Sequence, residues 1–237
     1  MTAKTKRNKP GLVSRIVRIV AKVFLYGFLF SLFYIFFCKW INPPITITQI
    51  GSLLQGNGLH RKYVSMEEIS PNLKLAVMAG EDQLFPDHNG FDFKSIQKAM
   101  KHNQKSKSLR GASTISQQVA KNVFLWQHGG YFRKGLEVYF TFMIETVWSK
   151  KRILEMYLNV AEMGQGIFGV EAASEHYFNK PAKNLSRKEA ALIAACLPNP
   201  QGYTIKPLSA HVASRYPWIL RQMNNLEADP DIQALLK

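Results

Sequence analysis

The adjacent acids Glu81 and Asp82 are the first residues in the chain whose type and position suggest chemistry. They stand where a helix that begins after Ser70 is predicted to end, ahead of a loop that contains His88. A carboxylate at the end of a helix is held at the edge of a cleft by a fixed scaffold. Paired acids at a helix end are more often solvated, and a histidine such as His88 more often has a structural role. This segment alone therefore leaves both interpretations open.

A second group of polar side chains falls on one face of a predicted helix: Thr114, Gln117, Gln118 and Lys121. Thr114 and Gln117 have the spacing of a capping box, which opens a helix. The face combines neutral donors and acceptors with a single cation, a composition that suits a sugar together with a phosphate. A free N-terminus of this helix would add backbone N–H groups for an anion. The alternative is an ordinary solvated helix face.

A basic cluster with a second carboxylate follows. Arg133 and Lys134 precede Glu137, and Lys151 and Arg152 lie further along the chain. Cationic side chains bind phosphate oxygens through charge-assisted hydrogen bonds, although such clusters are usually solvated or contact lipid headgroups. Two carboxylates are the usual equipment for chemistry at an anomeric carbon.

The composition fits one domain with a terminal appendage, because the chain has 237 residues, is 46% hydrophobic and carries a net charge of +15. Such a charge favours polyanions, either nucleic acid or an anionic membrane. An uncharged apolar run covers residues 23–38 and is flanked by Lys22 and Lys39. This run favours a membrane as the partner and predicts a spanning helix over residues 19–41. No small-residue cleavage site follows the run, which disfavours a cleaved signal peptide.

The positive-inside rule gives this helix an orientation. The first 22 residues carry seven basic residues and no acid. We therefore expect residues 1–18 to form a cytoplasmic tail and the working domain to lie on the other face of the membrane.

The rest of the chain is predicted to be mainly α-helical. Residues 42–69 form a neck, in which the β-branched segment after Pro44 favours a short strand or loop, and residues 70–237 form the domain. Further helix starts are marked by the N-cap residues Asp92 and Ser186, and another helix is predicted after Ser149. The glycines Gly164, Gly166 and Gly169 indicate a tight turn between helices.

Together these segments resemble the peptidoglycan glycosyltransferase family, which includes the polymerising module of penicillin-binding proteins and monofunctional forms. The family's first motif, Glu-Asp-x-x-Phe-x-x-His-x-Gly, matches Glu81, Asp82, Phe85, His88 and Gly90. The second, Gly-x-Ser-Thr-x-x-Gln-Gln-x-x-Lys-Asn, matches Gly111, Ser113, Thr114, Gln117, Gln118, Lys121 and Asn122. A third, Arg-Lys-x-x-Glu, matches Arg133, Lys134 and Glu137. Tyr-Leu-Asn and Leu-Pro-Asn-Pro elements follow at residues 157–159 and 197–200.

The resemblance implies a lysozyme-like helical domain of the monofunctional type. Its substrates would be lipid II and a growing glycan on undecaprenyl pyrophosphate. Glu81 would be the catalytic base that takes the acceptor's proton, and β-1,4 linkages would form with inversion. Substrate contacts are expected from Asp82, His88, Ser113, Thr114, Gln117, Gln118, Lys121, Arg133, Lys134, Lys151 and Arg152.

Glu137 would be the second catalytic carboxylate, either orienting these cations or holding a divalent ion, Mg²⁺ or Mn²⁺, against the pyrophosphate. The sequence itself requires no cofactor. The expected location is the cytoplasmic (inner) membrane, crossed once, and other cell-wall synthesis or division proteins are further candidate partners. No nucleic acid is expected.

Two rival functions remain open at this point. A membrane-anchored peptidoglycan hydrolase, of the muramidase or lytic type, would also use two carboxylates on a lysozyme-like fold. The cationic, amide-rich helix face argues against it, because a hydrolase has no pyrophosphate to neutralise. A non-enzymatic membrane-tethered scaffold is the second rival.

Overall fold

The structure, a computed structural model, describes residues 11–106, 111–127 and 129–237. Residues 1–10 of the predicted basic tail lie outside this described part. The chain divides into two compact units, Met1–Ile41 and Asn42–Lys237. The described part of the chain is 67% helical with few strands, which confirms the mainly α fold class.

The described part of the first unit is one long helix, α1 (Leu12–Trp40). Its 29 residues are long and apolar enough to cross a membrane, as judged by length and composition alone. At 1.5 Å per residue the helix is about 44 Å long, more than the roughly 30 Å of a bilayer's hydrocarbon core. The helix begins earlier than predicted because Arg15 and Arg18 are good helix formers and continue it beyond the apolar run.

The second unit begins with a helix where the sequence predicted a strand or loop. Helix α2 (Ile47–Leu54) starts at Thr46, whose side chain accepts the backbone N–H of Gln49 while the Gln49 side chain accepts that of Thr46. The prediction was wrong because this capping box outweighs the strand preference of the β-branched residues. Thr48 of α2 also accepts a hydrogen bond from Gln127 at 2.9 Å, which ties the neck to the domain.

Further helices make up most of the domain. They are α3 (Pro71–Glu81), α4 (Phe93–Lys105), α5 (Ile115–Phe124), α6 (Tyr131–Val147), α7 (Lys150–Val160), α8 (Val170–Phe178), α9 (Arg187–Cys196), α10 (Ala210–Leu226) and α11 (Pro230–Leu236), with short 3-10 turns at Met66–Glu68 and Ala182–Asn184. The predicted N-caps are confirmed, because each of these side chains accepts a backbone N–H from the first turn of its helix: Ser70, Asp92, Thr114 and Ser186. Ser149 caps α7 in the same way.

The core brings the motif-bearing helices together. Helix α3 packs on α9 and α10, and α5 packs on α6 and α7. The apolar face of α5 is fully buried through Ile115, Val119 and Val123, as its spacing predicted. This packing fixes the C-terminal end of α3 and the polar face of α5 as parts of one scaffold.

A small three-stranded sheet closes one side of the domain, in the order β1 (His60–Arg61), β3 (Ile167–Phe168), β2 (Glu162–Gly164). The glycine series therefore lies in a hairpin, whose turn joins β2 to β3. The sequence predicted a turn that joins two helices, and this prediction was wrong because the flanking segments are strands. Gly166 has φ +69°, and a Cβ there would lie 2.0 Å from the carbonyl oxygen of Asn57. Short strands of this length carry too little periodicity to be predicted.

Candidate active site

Glu81 is the last residue of α3, and the packing of that helix fixes its position. At the preceding Gly80, an added Cβ would lie 3.4 Å from Cδ1 of Ile219 on α10, so the two helices approach closely. Glu81 is half-buried as a residue, and desolvation of its carboxyl raises its pKa above the ordinary value for glutamate. A carboxylate with a raised pKa is a stronger base, which suits proton abstraction near neutral pH.

A chain of two hydrogen bonds orients this carboxylate. Gln118 Nε2 donates to Glu81 Oε2 at 2.7 Å, and the Tyr157 hydroxyl donates to Gln118 Oε1 at 3.3 Å. Because Tyr157 occupies the amide oxygen, the amide nitrogen of Gln118 faces Glu81. Tyr157 is buried, so the packing around it fixes the position of its hydroxyl.

Asp82 and His88 join the end of α3 to the start of α5. Asp82 Oδ2 accepts the backbone N–H of Ile115 at 2.9 Å, and His88 Nε2 lies 3.0 Å from Asp82 Oδ1. Gly90 N–H donates to His88 Nδ1 at 3.1 Å, so Nε2 carries the proton that is given to Asp82. The predicted free N-terminus of α5 was therefore wrong, because an internal carboxylate already binds there.

Thr114 and Gln117 also serve the scaffold. They form the capping box of α5, and the Thr114 hydroxyl donates to the carbonyl of Gly90 at 2.7 Å. Both side chains are buried. Of the predicted polar face, Gln118 and Lys121 remain half-buried and reach open space.

Two clefts lie beside this network, each with a volume of about 430 Å³. The Glu81 cleft is lined by Ala79, Gly80, Glu81, Asp82, Gln83, Leu84, Asp92, Ser95, Lys98, Gly111, Ala112, Ser113, Thr114 and Leu226. The Lys121 cleft is lined by Gln118, Lys121, Asn122, Gln127, Tyr157, Ala161, Glu162, Leu197, Pro198, Asn199, Pro200 and Gln201. Since Glu81 lines the first cleft and its hydrogen-bond partner Gln118 lines the second, the two clefts lie on either side of this pair.

Cations and Glu137 form a cluster between α5 and α6. Burial lowers the pKa of Lys121, while the charges of Glu137 and Glu81 oppose this shift. Glu137 is buried and pairs with Arg133 at 2.8 Å and with Lys134. Arg133 Nε is buried and has no hydrogen-bond partner in the described structure. A buried, unpaired guanidinium N–H is a natural donor for an anionic ligand.

Glu137 as arranged does not fit a metal site. Both of its carboxylate oxygens are engaged by Arg133 and Lys134. Within the described ranges, no three His, Cys, Asp or Glu side chains form a group that could hold a metal ion. The divalent ion considered above stays an untested prediction, and the mechanism below has no step through one.

The later basic residues lie elsewhere. Lys151 is half-buried and pairs with Glu67 at 3.5 Å, and Arg152 contacts Glu155 and Asn42 at 2.7 and 2.9 Å. Neither Lys151 nor Arg152 lines either cleft.

Arg215 is a site residue that the sequence reasoning missed. Its guanidinium donates to the carbonyl of Gly80 at 3.3 Å and stacks 3.8 Å from the ring centroid of Trp218. Its charge lowers the pKa of Glu81, against the effect of burial. Arg215 lies on α10 and belongs to none of the family motifs, so no local sequence signal indicates a role for it.

This fold and site define a class of enzyme. The desolvated carboxylate of Glu81 lies beside one cleft and is hydrogen-bonded to Gln118 of a second, amide-lined cleft that contains Lys121, an arrangement suited to transferring a sugar from a phosphate leaving group to a hydroxyl. The enzyme is thus a glycosyltransferase.

Comparisons with known proteins agree with this class. The sequence profile of the family described as transglycosylase matches residues 47–224. A "Biosynthetic peptidoglycan transglycosylase" of Shigella boydii is 56% identical over 189 residues, which cover 78% of each chain. One of Mannheimia succiniciproducens is 60% identical over 164 residues, covering 69% of this chain and 67% of its own. One of Escherichia coli K12 is 56% identical over 189 residues. This chain belongs to the transglycosylase family.

Proposed function

We propose that this transglycosylase polymerises lipid II into β-1,4-linked glycan strands in cell-wall synthesis and releases undecaprenyl pyrophosphate. The observation that carries the proposal is the placement of Glu81, a desolvated carboxylate that lines one cleft and is hydrogen-bonded to Gln118 of the other. The relatives named above are peptidoglycan transglycosylases, and the matched region of this chain contains Glu81, Lys121 and Glu137.

The acceptor is assigned to the Glu81 cleft. A general base must reach the proton it removes, and Glu81 lines this cleft. Glu81 takes the proton of the acceptor's 4-hydroxyl as that oxygen attacks the anomeric carbon of the donor. Attack on the face opposite the leaving group inverts the configuration and forms the β-1,4 bond.

The donor is assigned to the Lys121 cleft. The departing pyrophosphate develops negative charge, which preorganised cations stabilise in a partly dry site. Lys121 lines this cleft, and the charges of Arg133 and Lys134 are close enough to Lys121 to influence its pKa. Glu137 holds Arg133 and Lys134 in place through two ion pairs.

Purified protein can be incubated separately with lipid II and with finished, unlabelled glycan. We expect longer strands from lipid II and no shortening of finished glycan. A Lys121→Met variant should lose most of the synthesis, because it removes a cation that stabilises the departing pyrophosphate. In a hydrolase there is no leaving pyrophosphate for this cation to stabilise. Shortened glycan, with no product from lipid II, would identify a hydrolase, and no turnover of either would favour a binding protein.

We further propose that α1 anchors the domain in the cytoplasmic membrane, with the N-terminus in the cytoplasm and residues 42–237 outside it. The basic residues before the apolar run support this orientation. A reporter enzyme that works only outside the cytoplasm should be active when fused after Lys237. The same reporter fused before Met1 should be inactive, and the opposite pattern would reverse the topology.

A further inference from the structure

Lys150 and Glu145 form an ion pair beside the segment that carries His88, and the reaction described above does not use it. Lys150 is the first residue of α7, and its Nζ lies 2.8 Å from Oε1 of Glu145 on α6. The two side chains are 21% and 7% exposed. Neither residue lines the Glu81 cleft or the Lys121 cleft, so the pair has no place in the substrate contacts assigned above.

The ammonium of Lys150 connects the segment after α3 to α6. It donates to the backbone carbonyl of His88 at 2.5 Å. It also lies 4.6 Å from the ring centroid of Phe85, which is fully buried. Glu145 Oε1 accepts the hydrogen bond from Lys150 and a second one from the hydroxyl of Ser116 on α5. The ammonium thus holds the backbone of His88, and Glu145 holds the ammonium.

The segment after His88 packs closely against α6. Gly90 has φ +87°, and a Cβ there would lie 2.7 Å from Cγ2 of Thr141 and 2.9 Å from Cγ of Glu145. The carbonyl of Gly90 accepts the hydroxyl of Thr114, the N-cap of α5, at 2.7 Å. A shift of this segment therefore breaks these contacts or moves α5.

Stability alone does not require a lysine and a glutamate at these two positions. Taking two charges out of water costs free energy, and apolar residues of similar size are often equally stabilising in place of a buried ion pair. An apolar residue in place of Lys150 would, however, leave the carbonyl of His88 without this donor. The geometry that the pair fixes explains its presence better than the free energy of folding does.

The backbone of His88 in turn places its imidazole at the end of α3. His88 Nε2 lies 3.0 Å from Asp82 Oδ1, and Asp82 Oδ2 accepts the N–H of Ile115 at the start of α5. Helix α5 also carries Gln118, whose amide donates to Glu81. The position of α5 relative to α3, and with it the hydrogen bond to Glu81, thus depends on this imidazole.

We propose that Lys150 is a positioning residue for the glycosyl transfer. By fixing the backbone of His88, it keeps the imidazole on Asp82 and keeps Glu81 aligned with α5. The inference rests on the proposed function, in which Glu81 removes the acceptor's proton. Lys150 touches neither substrate and acts on the reaction only through His88.

The test measures kcat and KM for polymerisation of lipid II when Lys150→Met is made in wild type and in His88→Ala. His88→Ala keeps the backbone carbonyl that Lys150 binds and removes the imidazole through which Lys150 acts. In wild type we expect kcat to fall about tenfold with KM within about twofold, because small displacements of reacting groups slow a reaction strongly. In His88→Ala the same substitution should change kcat by less than about twofold.

Two further variants separate positioning from a general loss of stability, with all rates measured below the Tm of every variant. Lys150→Arg keeps a cationic donor and should recover part of kcat. Lys180→Met is the matched control, because Lys180 is half-buried, pairs with Glu189 at 2.6 Å and lines neither cleft. Its kcat should stay within about twofold of wild type.

If Lys150→Met fails to fold, Glu145→Gln replaces it in the same comparison. This variant removes the charge that holds the ammonium of Lys150. We expect kcat to fall about threefold in wild type, the size of one weakened hydrogen bond, and to stay unchanged in His88→Ala.

Four outcomes would overturn the proposal. An equal fall of kcat in both backgrounds would show that Lys150 acts independently of His88. A rise in KM with kcat unchanged would make Lys150 a substrate contact. A wild-type kcat in Lys150→Met, or an equal fall in Lys180→Met, would remove any specific role. If wild-type protein fails to polymerise lipid II, the proposed function itself has failed.

Discussion

The two carboxylates of the site lie in opposite surroundings. Glu81 receives a hydrogen bond from the neutral amide of Gln118, and desolvation raises its pKa. Glu137 is more deeply buried, yet it is paired with two cations. Desolvation of Glu81 favours its uptake of a proton, whereas both carboxylate oxygens of Glu137 already accept hydrogen bonds from Arg133 and Lys134. In the proposed function, this difference assigns the role of base to Glu81 and the positioning of cations to Glu137.

Replacement of Glu81 should have the largest effect. Glu81→Gln keeps the shape of the side chain and removes the base, so polymerisation of lipid II should fall by about 10²–10⁴. Initial rates with labelled lipid II measure this. If the variant kept more than about a tenth of the wild-type rate, Glu81 would not be the base.

The same variant should be at least as stable as wild type. A carboxyl whose pKa is raised by folding destabilises the folded state once pH rises through that pKa, and at neutral pH the neutral amide avoids this cost. Thermal unfolding at pH 7 should therefore give an equal or higher Tm for Glu81→Gln. A lower Tm would mean that a folding defect contributes to the lost activity.

Glu137→Gln should have the next largest effect, a fall of about tenfold or more, because Arg133 and Lys134 lose the anion that orients them. Because Glu81 is unchanged in Glu137→Gln, we expect the acidic limb of the pH profile of kcat/KM to stay at its wild-type position. Glu137→Asp, which keeps the charge, should recover part of the rate. A shifted acidic limb would instead assign proton transfer to Glu137.

Replacement of Arg215 should change the pH dependence of kcat/KM more than it changes the maximal rate. Its positive charge lowers the pKa of Glu81, so Arg215→Gln should raise that pKa further. Glu81 must be ionised to accept a proton, and activity therefore appears as pH rises through its pKa. The acidic limb of kcat/KM should move to higher pH in Arg215→Gln.

The other charged groups that influence Glu81 are Asp82 and Lys121, and both are unchanged in this variant. Arg215→Lys keeps the charge and should leave the limb near its wild-type position. Equal loss of rate at every pH in Arg215→Gln, with no shift, would limit Arg215 to supporting the end of α3.

Lys151→Ala should have the smallest effect, less than about twofold in rate, because its ion pair with Glu67 is exposed and worth little. Lys121→Met is the contrasting variant, since Lys121 lies in the cleft and is largely desolvated. A large loss in Lys151→Ala would show that substrate reaches beyond the two clefts.

Local signals in the sequence were sufficient for much of the scaffold. The N-caps at Ser70, Asp92 and Ser186 were predicted because each helix start depends on residues within one turn. The apolar run of α1 and the polar face of α5 follow from composition and from helical spacing. The neck was mispredicted because the capping box at Thr46 was not recognised beside β-branched residues.

The roles within the site depended on tertiary structure. Spacing placed Thr114, Gln117, Gln118 and Lys121 on one face of a helix. Packing then divided them, with Thr114 and Gln117 capping α5 and the other two reaching the Lys121 cleft. The sequence pattern alone does not distinguish these two uses, because both require the same residue types.

The sequence by itself determined the helical class, the apolar anchor, the family motifs and Glu81 as the candidate base, since these depend on residue type and short-range order. Only the tertiary structure placed Arg215 beside Glu81, gave the N–H of Ile115 to Asp82, and moved Lys151 away from the clefts. The physical reason is distance along the chain. Desolvation and charge act through space, and the groups that set the basicity of Glu81 come from α3, α5 and α10.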